Sequence, residues 1–387
     1  MRELRIALLT HSVNPRGGVV HTLELANALH DRGHDVTVLA PAMAGQSMFR
    51  TPRCAVDLVP ITEAPTDVVD MIATRREAYV KHLSRLLRVQ RFDVLHAQDG
   101  IGGNALADLC DVGAINGFVR TVHHLDTFAD ERVMAWQRRA FERASQVLCV
   151  SQTWCDTLQR EHGVATMLVH NGVDLARFSR VAEAGDAGVV ARHGVRPGAP
   201  VFLAVGGIEE RKNTLRLLEA FIHFHALHRE AQLVIVGGAS LLDHDDYVRK
   251  FRTMLASSGL RSGPGESLVV TGAVPDAEMP ALLRAADALL MPSVREGFGM
   301  VVLEALASGT PAVVSRIAPF IEYLDADEER SHCCWADPAS AVSIAQAMQR
   351  ALAPGHAQAL SQQVPAVCER FSWSASAAQH ELIYPGA

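Results

Sequence analysis

The sequence predicts an α/β protein made of two doubly wound parallel-sheet domains that face a central cleft. Three observations carry that expectation. At 387 residues the chain exceeds what one ordinary core serves. Short apolar runs of strand length alternate with segments whose apolar residues recur at helical spacing, the grammar of a parallel sheet covered on both faces. That grammar restarts at PVFLAVGGI (200–208), after a stretch (174–200) rich in Gly, Ala and Arg that ends in GVRPGAP and marks the domain junction.

LRIALLT (4–10) is the first buried-strand candidate. GVVHTLELANALHDRGH (18–34) follows as a helix, with Gly33 as its natural stop. Strands are then expected at DVTVLAP (35–41), AVDLVP, FDVLHAQ, FVRTVHH, QVLCVS and TMLVHNG, with Ser151 as N-cap of a helix over QTWCDTLQREH. In the second half, LVIVGG, SLVVTG, ALLMPS and PAVVS continue the strand series. The expected division is a first domain over 1–180, a second over 181–370, and a terminal helix within 371–387. Segment 42–54 (AMAGQSMFRTPRC) reads as a mobile loop that meets an acceptor or a membrane surface.

Composition narrows the function. Hydrophobic residues make up 49%, enough to bury substantial cores. A formal charge of -7 argues against a surface that coats nucleic acid. No apolar run reaches the roughly 18–20 residues that span a bilayer, and MRELRIALLT lacks a signal-peptide h-region, so the reading is cytoplasmic. Seven cysteines without a C-x-x-C read as reduced thiols. His332-Cys333-Cys334 is a poor metal chelate, and DHDD (243–246) reads as a helix-start cluster, so no metal or other cofactor is expected.

In open parallel sheets, ligands sit at the carboxyl ends of the strands, so the chemistry belongs in the loops that follow them. HSVNPRGGVV places Gly17 and Gly18 at a helix start, where backbone N–H groups can approach an anion; G-x-G-x-x-G is absent. TVHHLD puts His123 and His124 at a strand end, where a histidine hydrogen-bonds a polar substrate and titrates near neutrality. The three histidines 223, 225 and 228 fall on one helix and read as structural. GGIEERKNTLRLLEAF sets Arg211 and Lys212 beside Asn213, an N-cap candidate: either a diphosphate clamp or a charged loop paired with Glu209 and Glu210. Finally, REGFGMVVLEALASGTP (295–311) holds Glu296 in a loop and Glu304 among apolar helical positions, where a carboxylate needs donors such as ribose hydroxyls.

Together these pieces resemble the retaining glycosyltransferases of the GT-B fold, specifically glycosyltransferase family four (glycosyl transferases group 1). The most specific part is Glu296-x7-Glu304 within PS-x-x-EGFG-x-x-x-LEA-x-A-x-G-x-P, with VHNGVD, the Gly-Gly loop and the RKN loop in order. The resemblance implies two Rossmann-like domains, the N-terminal one binding the acceptor and the C-terminal one the nucleotide sugar, with the last helix crossing back to the first domain. It implies metal-independent transfer of a sugar from a nucleotide-diphosphate donor to an acceptor hydroxyl, the acceptor being a saccharide, a lipid-linked compound or a small molecule, with peripheral membrane contact among the options.

The same resemblance assigns roles by position. Gly17 and Gly18 would bound the diphosphate, and His123 would approach the donor sugar near its anomeric centre. Arg211 and Lys212 would neutralise the leaving diphosphate. Glu296 would contact sugar hydroxyls, while Phe298, Gly299 and Met300 would offer backbone N–H groups to sugar and phosphate. Glu304 would accept from the ribose, and TGAVP (271–275) would wall the base. Departures are Gly207 where relatives carry Arg, Ala318-Pro319 before Glu322 where they carry Gly-Gly, and Cys333-Cys334-Trp335 in place of a Gly-rich stretch. A sugar-nucleotide epimerase of the same fold and a non-catalytic nucleotide-sugar-binding protein are the alternatives; the intact Glu296, Arg211 and Lys212 argue against the second.

Overall fold

A computed structural model describes residues 2–196, 198–237, 245–324, 333–355 and 364–384. The chain divides into two compact units, 1–172 with 373–387, and 173–372. The sequence boundaries at 180 and 370 thus fall eight residues after and two residues before the structural divisions. The helix Trp373–Ile383 belongs to the first unit.

In the first unit, β1 (Arg5–Leu9), β2 (Asp35–Ala42), β3 (Ala55–Pro60), β4 (Val94–Ala97), β5 (Val119–Val122), β6 (Gln146–Cys149) and β7 (Met167–Leu168) form one sheet in the order β3-β2-β1-β4-β5-β6-β7. Every pairing is parallel; Ile6 in β1 lies against Val36 on one side and Val94 on the other. The second unit repeats the plan with β8 (Val201–Val205), β9 (Gln232–Val236), β10 (Leu268–Gly272), β11 (Ala288–Met291), β12 (Ala312–Ser315) and β13 (Cys334–Ala336), ordered β10-β9-β8-β11-β12-β13. In each sheet the strand order reverses next to the unit's own first strand, between β1 and β4 and between β8 and β11. Those are the switch points at which doubly wound sheets leave a crevice.

The expected strands form where their apolar runs lie, because strands buried on both faces read as continuous Val/Ile/Leu sequence. One strand is new. Cys334–Ala336 pairs with β12 as the edge of the second sheet, where the sequence reading had only a poor metal chelate and a departure from a family pattern. In the second unit, the helices Thr214–Leu227 and Ala341–Ala351 bury Phe221, Phe224, Ile344 and Met348 against Phe202, Leu233 and Ile235. Each such side chain removed from water contributes about 1.5–3 kcal/mol. In the first unit, the helix Val68–Leu86 seals the other core with Tyr79 and Leu83; the Tyr79 hydroxyl donates to the Thr10 and Leu39 carbonyls at 2.6 and 2.7 Å.

The helix Gly17–Asp31 is buried continuously from His21 to Leu29. An amphipathic surface helix would show a polar stripe there. The C-terminal helix accounts for the difference. Its Glu381 carboxylate, 5% exposed, accepts from Arg32 at 2.7 and 2.6 Å and lies 3.0 Å from His34 Nε2. The segment expected to be a mobile loop is also tied to the first helix: Arg50 pairs with Glu24, and the Arg53 N–H donates to Asn27 Oδ1 at 2.7 Å. Ser151 occupies its N-cap position with extended backbone, yet its hydroxyl makes no capping bond. Among the described residues, no helix is long and apolar enough to cross a membrane, and no group of three or more His, Cys, Asp or Glu is placed to hold a metal ion. His332, Asp243 and His244, members of the two acidic or metal-type runs noted above, lie outside the described residues; Asp245 begins the helix Asp245–Ser257.

Candidate functional site

In the second unit, the loops after β8 and β11 meet at the switch point. The Arg211 carbonyl accepts from the Val294 N–H at 3.0 Å. Asn213 does not cap its helix with an oxygen. It adopts the left-handed conformation (φ 59°), and its amide donates to the Pro292 and Pro338 carbonyls at 3.0 and 2.7 Å, strapping the two loops and the β13 end together. This bracing aims three donors at one atom. Glu296 Oε1 accepts from Lys212 Nζ at 2.7 Å, Arg211 Nη1 at 3.0 Å and Ser293 Oγ at 2.9 Å. Ser293, which sequence reasoning treated only as a strand end, is fully buried.

Glu296 itself is only 7% exposed. Burial alone would raise its pKa, but Lys212 and Arg211 overcome that and hold it at about 2, so it stays ionised. Burial lowers Lys212 from its ordinary value, with Glu296 opposing and Arg211 assisting. Short charge-assisted contacts on a carboxylate favour both ions, and we take Glu296 as anion and Lys212 as cation. Arg211 also pairs with Glu209, as the charged-loop reading expects, at 3.6 Å against 3.0 Å to Glu296.

The glycines have structural reasons here. Gly206 (φ 126°) accommodates the Lys212 stem, since a Cβ would stand 2.6 Å from Lys212 Cε. Gly299 (φ 88°) precedes the helix Met300–Ala307, and a Cβ there would stand 2.4 Å from Phe320 Cε1. Phe298 stacks on Tyr323 with centroids 4.6 Å apart, and the Tyr323 hydroxyl donates to the Phe298 carbonyl at 3.0 Å. The Phe298 side chain is therefore packing, and any ligand contact from 298–300 comes from main-chain N–H groups at the helix start. Glu304 sits half-buried on that helix, with Val301, Val302, Leu303, Ala305 and Leu306 all buried around it.

In the first unit, Gly17 and Gly18 open their helix as expected. A Cβ on Gly17 would meet nothing within 4 Å, and one on Gly18 would touch only His123, 3.8 Å away at Cδ2. Packing within the unit does not demand glycine at either position. His123 follows β5, as expected, but it does not titrate near neutrality. Burial, then His21 and Arg120, push it well below its ordinary value, so the ring is neutral. Its Nε2 is shielded from solvent and has no hydrogen-bond partner among the described residues. His124 pairs with Asp126 at 3.1 Å.

Sequence reasoning missed the company that His123 keeps. His21, His96 and His380 are all buried, and burial lowers each of them. His96 lies 2.9 Å from the Tyr384 hydroxyl and 2.7 Å from Thr121 Oγ1. Only helical periodicity could have flagged His21 and His380 as inward-facing, and it marks them as core.

Comparisons with known proteins bear on the family and the fold. Residues 15–177 match the family model described as Glycosyltransferase Family 4, and residues 190–364 match Glycosyl transferases group 1. A D-inositol 3-phosphate glycosyltransferase of Pseudarthrobacter chlorophenolicus is 26% identical, across 81% of this chain and 79% of that protein. A glycogen synthase of Mycobacterium tuberculosis is 26% identical, across 77% and 73%. Among solved structures, a sucrose-phosphate synthase of Thermosynechococcus elongatus superposes with a TM-score of 0.79 at 20% identity, covering 99% of this chain and 98% of that one. The Anabaena protein HepE, solved with UDP and glucose, gives 0.78 at 17% identity and covers both chains fully. These structures share the fold: two α/β domains with parallel, Rossmann-like sheets.

Proposed function

The chain belongs to the glycosyltransferases, family 4 through its first half and group 1 through its second, and on that premise we propose that it transfers a sugar from a nucleoside-diphosphate donor to an acceptor hydroxyl, with retention and without a metal ion. The observation that carries this is the convergence of Lys212, Arg211 and Ser293 on Glu296 at the switch point of β8 and β11. Two cations beside a helix start are a place to receive a diphosphate. When the bond from the anomeric carbon to the diphosphate oxygen breaks, the electron pair leaves with that oxygen, and Arg211 and Lys212 stabilise the growing charge. The acceptor oxygen bonds to the same face of the carbon, and its proton passes to the departing phosphate. Glu296, already ionised, has no proton to give; its place in the reaction is to accept from sugar hydroxyls and to hold the two cations.

Several relatives support a nucleotide-sugar donor. One curated relative is a UDP-Gal-named galactosyltransferase of Escherichia coli, and one structural neighbour, HepE, was solved with UDP-glucose. Seven free cysteines suit a reducing compartment. The test is thermal: UDP-, GDP- and ADP-glucose are added to the protein, and at least one is expected to raise Tm through linkage. No shift with any of the three, together with no nucleotide release, overturns the reading. Within it, Glu304→Ala is expected to weaken donor binding by about 1.5–3 kcal/mol, the size of one charge-assisted hydrogen bond. Unchanged donor affinity by calorimetry removes Glu304 from the ribose.

A further inference from the structure

Asn171, buried near the end of the first unit's main segment, makes a contact that the proposed reaction has not used. Its Oδ1 lies 3.0 Å from His21 Nδ1, across 150 residues of sequence. An amide oxygen only accepts, so the proton sits on His21 Nδ1 and Nε2 is left as a bare lone pair. The His21 ring stands edge-on to His123, with centroids 4.5 Å apart and planes at 75°. Behind it, Trp373 of the C-terminal helix stands edge-on to His21 at 5.2 Å and 78°. On the same helix as His21, one turn earlier, a Cβ added at Gly18 would stand 3.8 Å from His123 Cδ2. His21, with Trp373 at its own edge, thus restricts how the His123 imidazole can turn. Its Nε2 has no described partner although it is shielded, and leaving such a group unsatisfied costs about 1–3 kcal/mol.

We propose that His21 and Asn171 are positioning residues for His123: Asn171 fixes the tautomer and plane of His21, and His21, backed by Trp373, wedges the His123 ring so that its Nε2 is presented in one orientation to a sugar hydroxyl. This rests on the reading that His123 approaches the donor sugar. The groups facing the two rings from the surrounding elements are His380 on the C-terminal helix, His96 on β4, Arg120 on β5 and the neighbouring His124. Burial acts first on both rings and these neighbours reinforce it, so the cage works with neutral imidazoles.

The test compares Asn171→Leu, which removes the acceptor, with Asn171→Asp, which keeps an oxygen but adds a charge that favours protonated His21. Nitrogen-15 spectra of the histidine rings should show a single Nδ1–H tautomer for His21 in the wild type, lost in Asn171→Leu. In nucleotide release from UDP-, GDP- and ADP-glucose, Asn171→Leu should lose about tenfold to a hundredfold in kcat, the cost of a misplaced group, with donor KM within about twofold. Asn171→Asp should recover most of that kcat above about pH 8 and lose it below about pH 6.5, an acid limb that the wild type lacks. A merely structural role moves neither the tautomer nor the pH profile. If Asn171→Leu fails to fold, the pH response of Asn171→Asp decides alone. Wild-type tautomer and flat kcat in both variants overturn the proposal. If His123→Ala keeps full activity, it is the underlying reading of His123 that fails, and the ring spectra still report on the cage.

Discussion

The two switch points of this chain are built from opposite materials. In the second unit a carboxylate and two cations share one buried oxygen, and their mutual charge holds Glu296 at about 2. In the first unit His21, His96 and His380 are buried and His123 lies partly buried beside them, with aromatic and hydroxyl neighbours, and burial lowers all four toward the neutral form. A crevice that must receive a diphosphate gains from fixed charge, because preorganised charges act where charge develops. A crevice that must place hydroxyls gains from neutral groups of fixed direction, since a charged ring would compete for solvent.

The contrast can be broken most severely at Lys212. Lys212→Ala is expected to lower kcat by about a hundredfold to a thousandfold, the usual cost of one oxyanion-stabilising donor. An effect confined to donor KM, measured by steady-state kinetics, argues that the lysine binds but does not assist departure. Next comes Glu296→Gln, which preserves shape and removes the carboxylate nearest both cations. We expect a loss of about 3 kcal/mol in denaturant unfolding, as for other broken buried pairs.

Acid should separate the two regions in order. A buried histidine held neutral costs nothing above its ordinary pKa of 6.5, and destabilises as pH falls toward about 4 for His380 and about 3 for His21, since the unfolded chain takes the proton first. Glu296 keeps its contribution down to 4.5 and surrenders it toward about 2. Each histidine gives up about 1.4 kcal/mol per pH unit within its window. Hydrogen-exchange protection factors, referred to the intrinsic rate at each pH, should therefore fall between pH 6.5 and 4.5 along the helix Trp373–Ile383 while those of the loop at Glu296 hold; the reverse order would refute the contrast.

The smallest expected effect pairs two glycines. Gly299→Ala meets both a left-handed backbone and Phe320, and should cost about 1–3 kcal/mol by thermal melting. Gly17→Ala meets nothing within 4 Å and should leave stability within about 0.5 kcal/mol. If the Gly17 backbone approaches the diphosphate, donor affinity nevertheless falls.

Much of this was legible in sequence. Continuous apolar runs marked the central strands, and the Glu-x7-Glu string placed the loop and helix after β11. What escaped has physical reasons. Cys334–Ala336 is three residues long, too short for periodicity to show, and is ordered by pairing with β12. Asn213 acts through a contact across 79 residues, which no local pattern encodes, whereas Ser293 lies three residues before Glu296 inside the quoted string, where only the fold shows its hydroxyl reaching the carboxylate. His21 carries a helical signal that any core residue on that face would carry; only its tertiary neighbours distinguish it among the chain's 18 histidines. His123 was found by its place after a strand, but its charge state was misjudged, because burial depends on partners far along the chain.

The assignment of residues 373–387 to the first unit has a practical consequence for cutting the gene. A fragment ending at residue 172 would carry Arg32 and His34 without Glu381, His96 without the Tyr384 hydroxyl, and His21 without Trp373 at its edge. An isolated N-terminal half therefore calls for a spliced reading frame, in which 373–387 is rejoined through a short linker after Gly172. The second half, by contrast, can be excised as one uninterrupted stretch, 173–372.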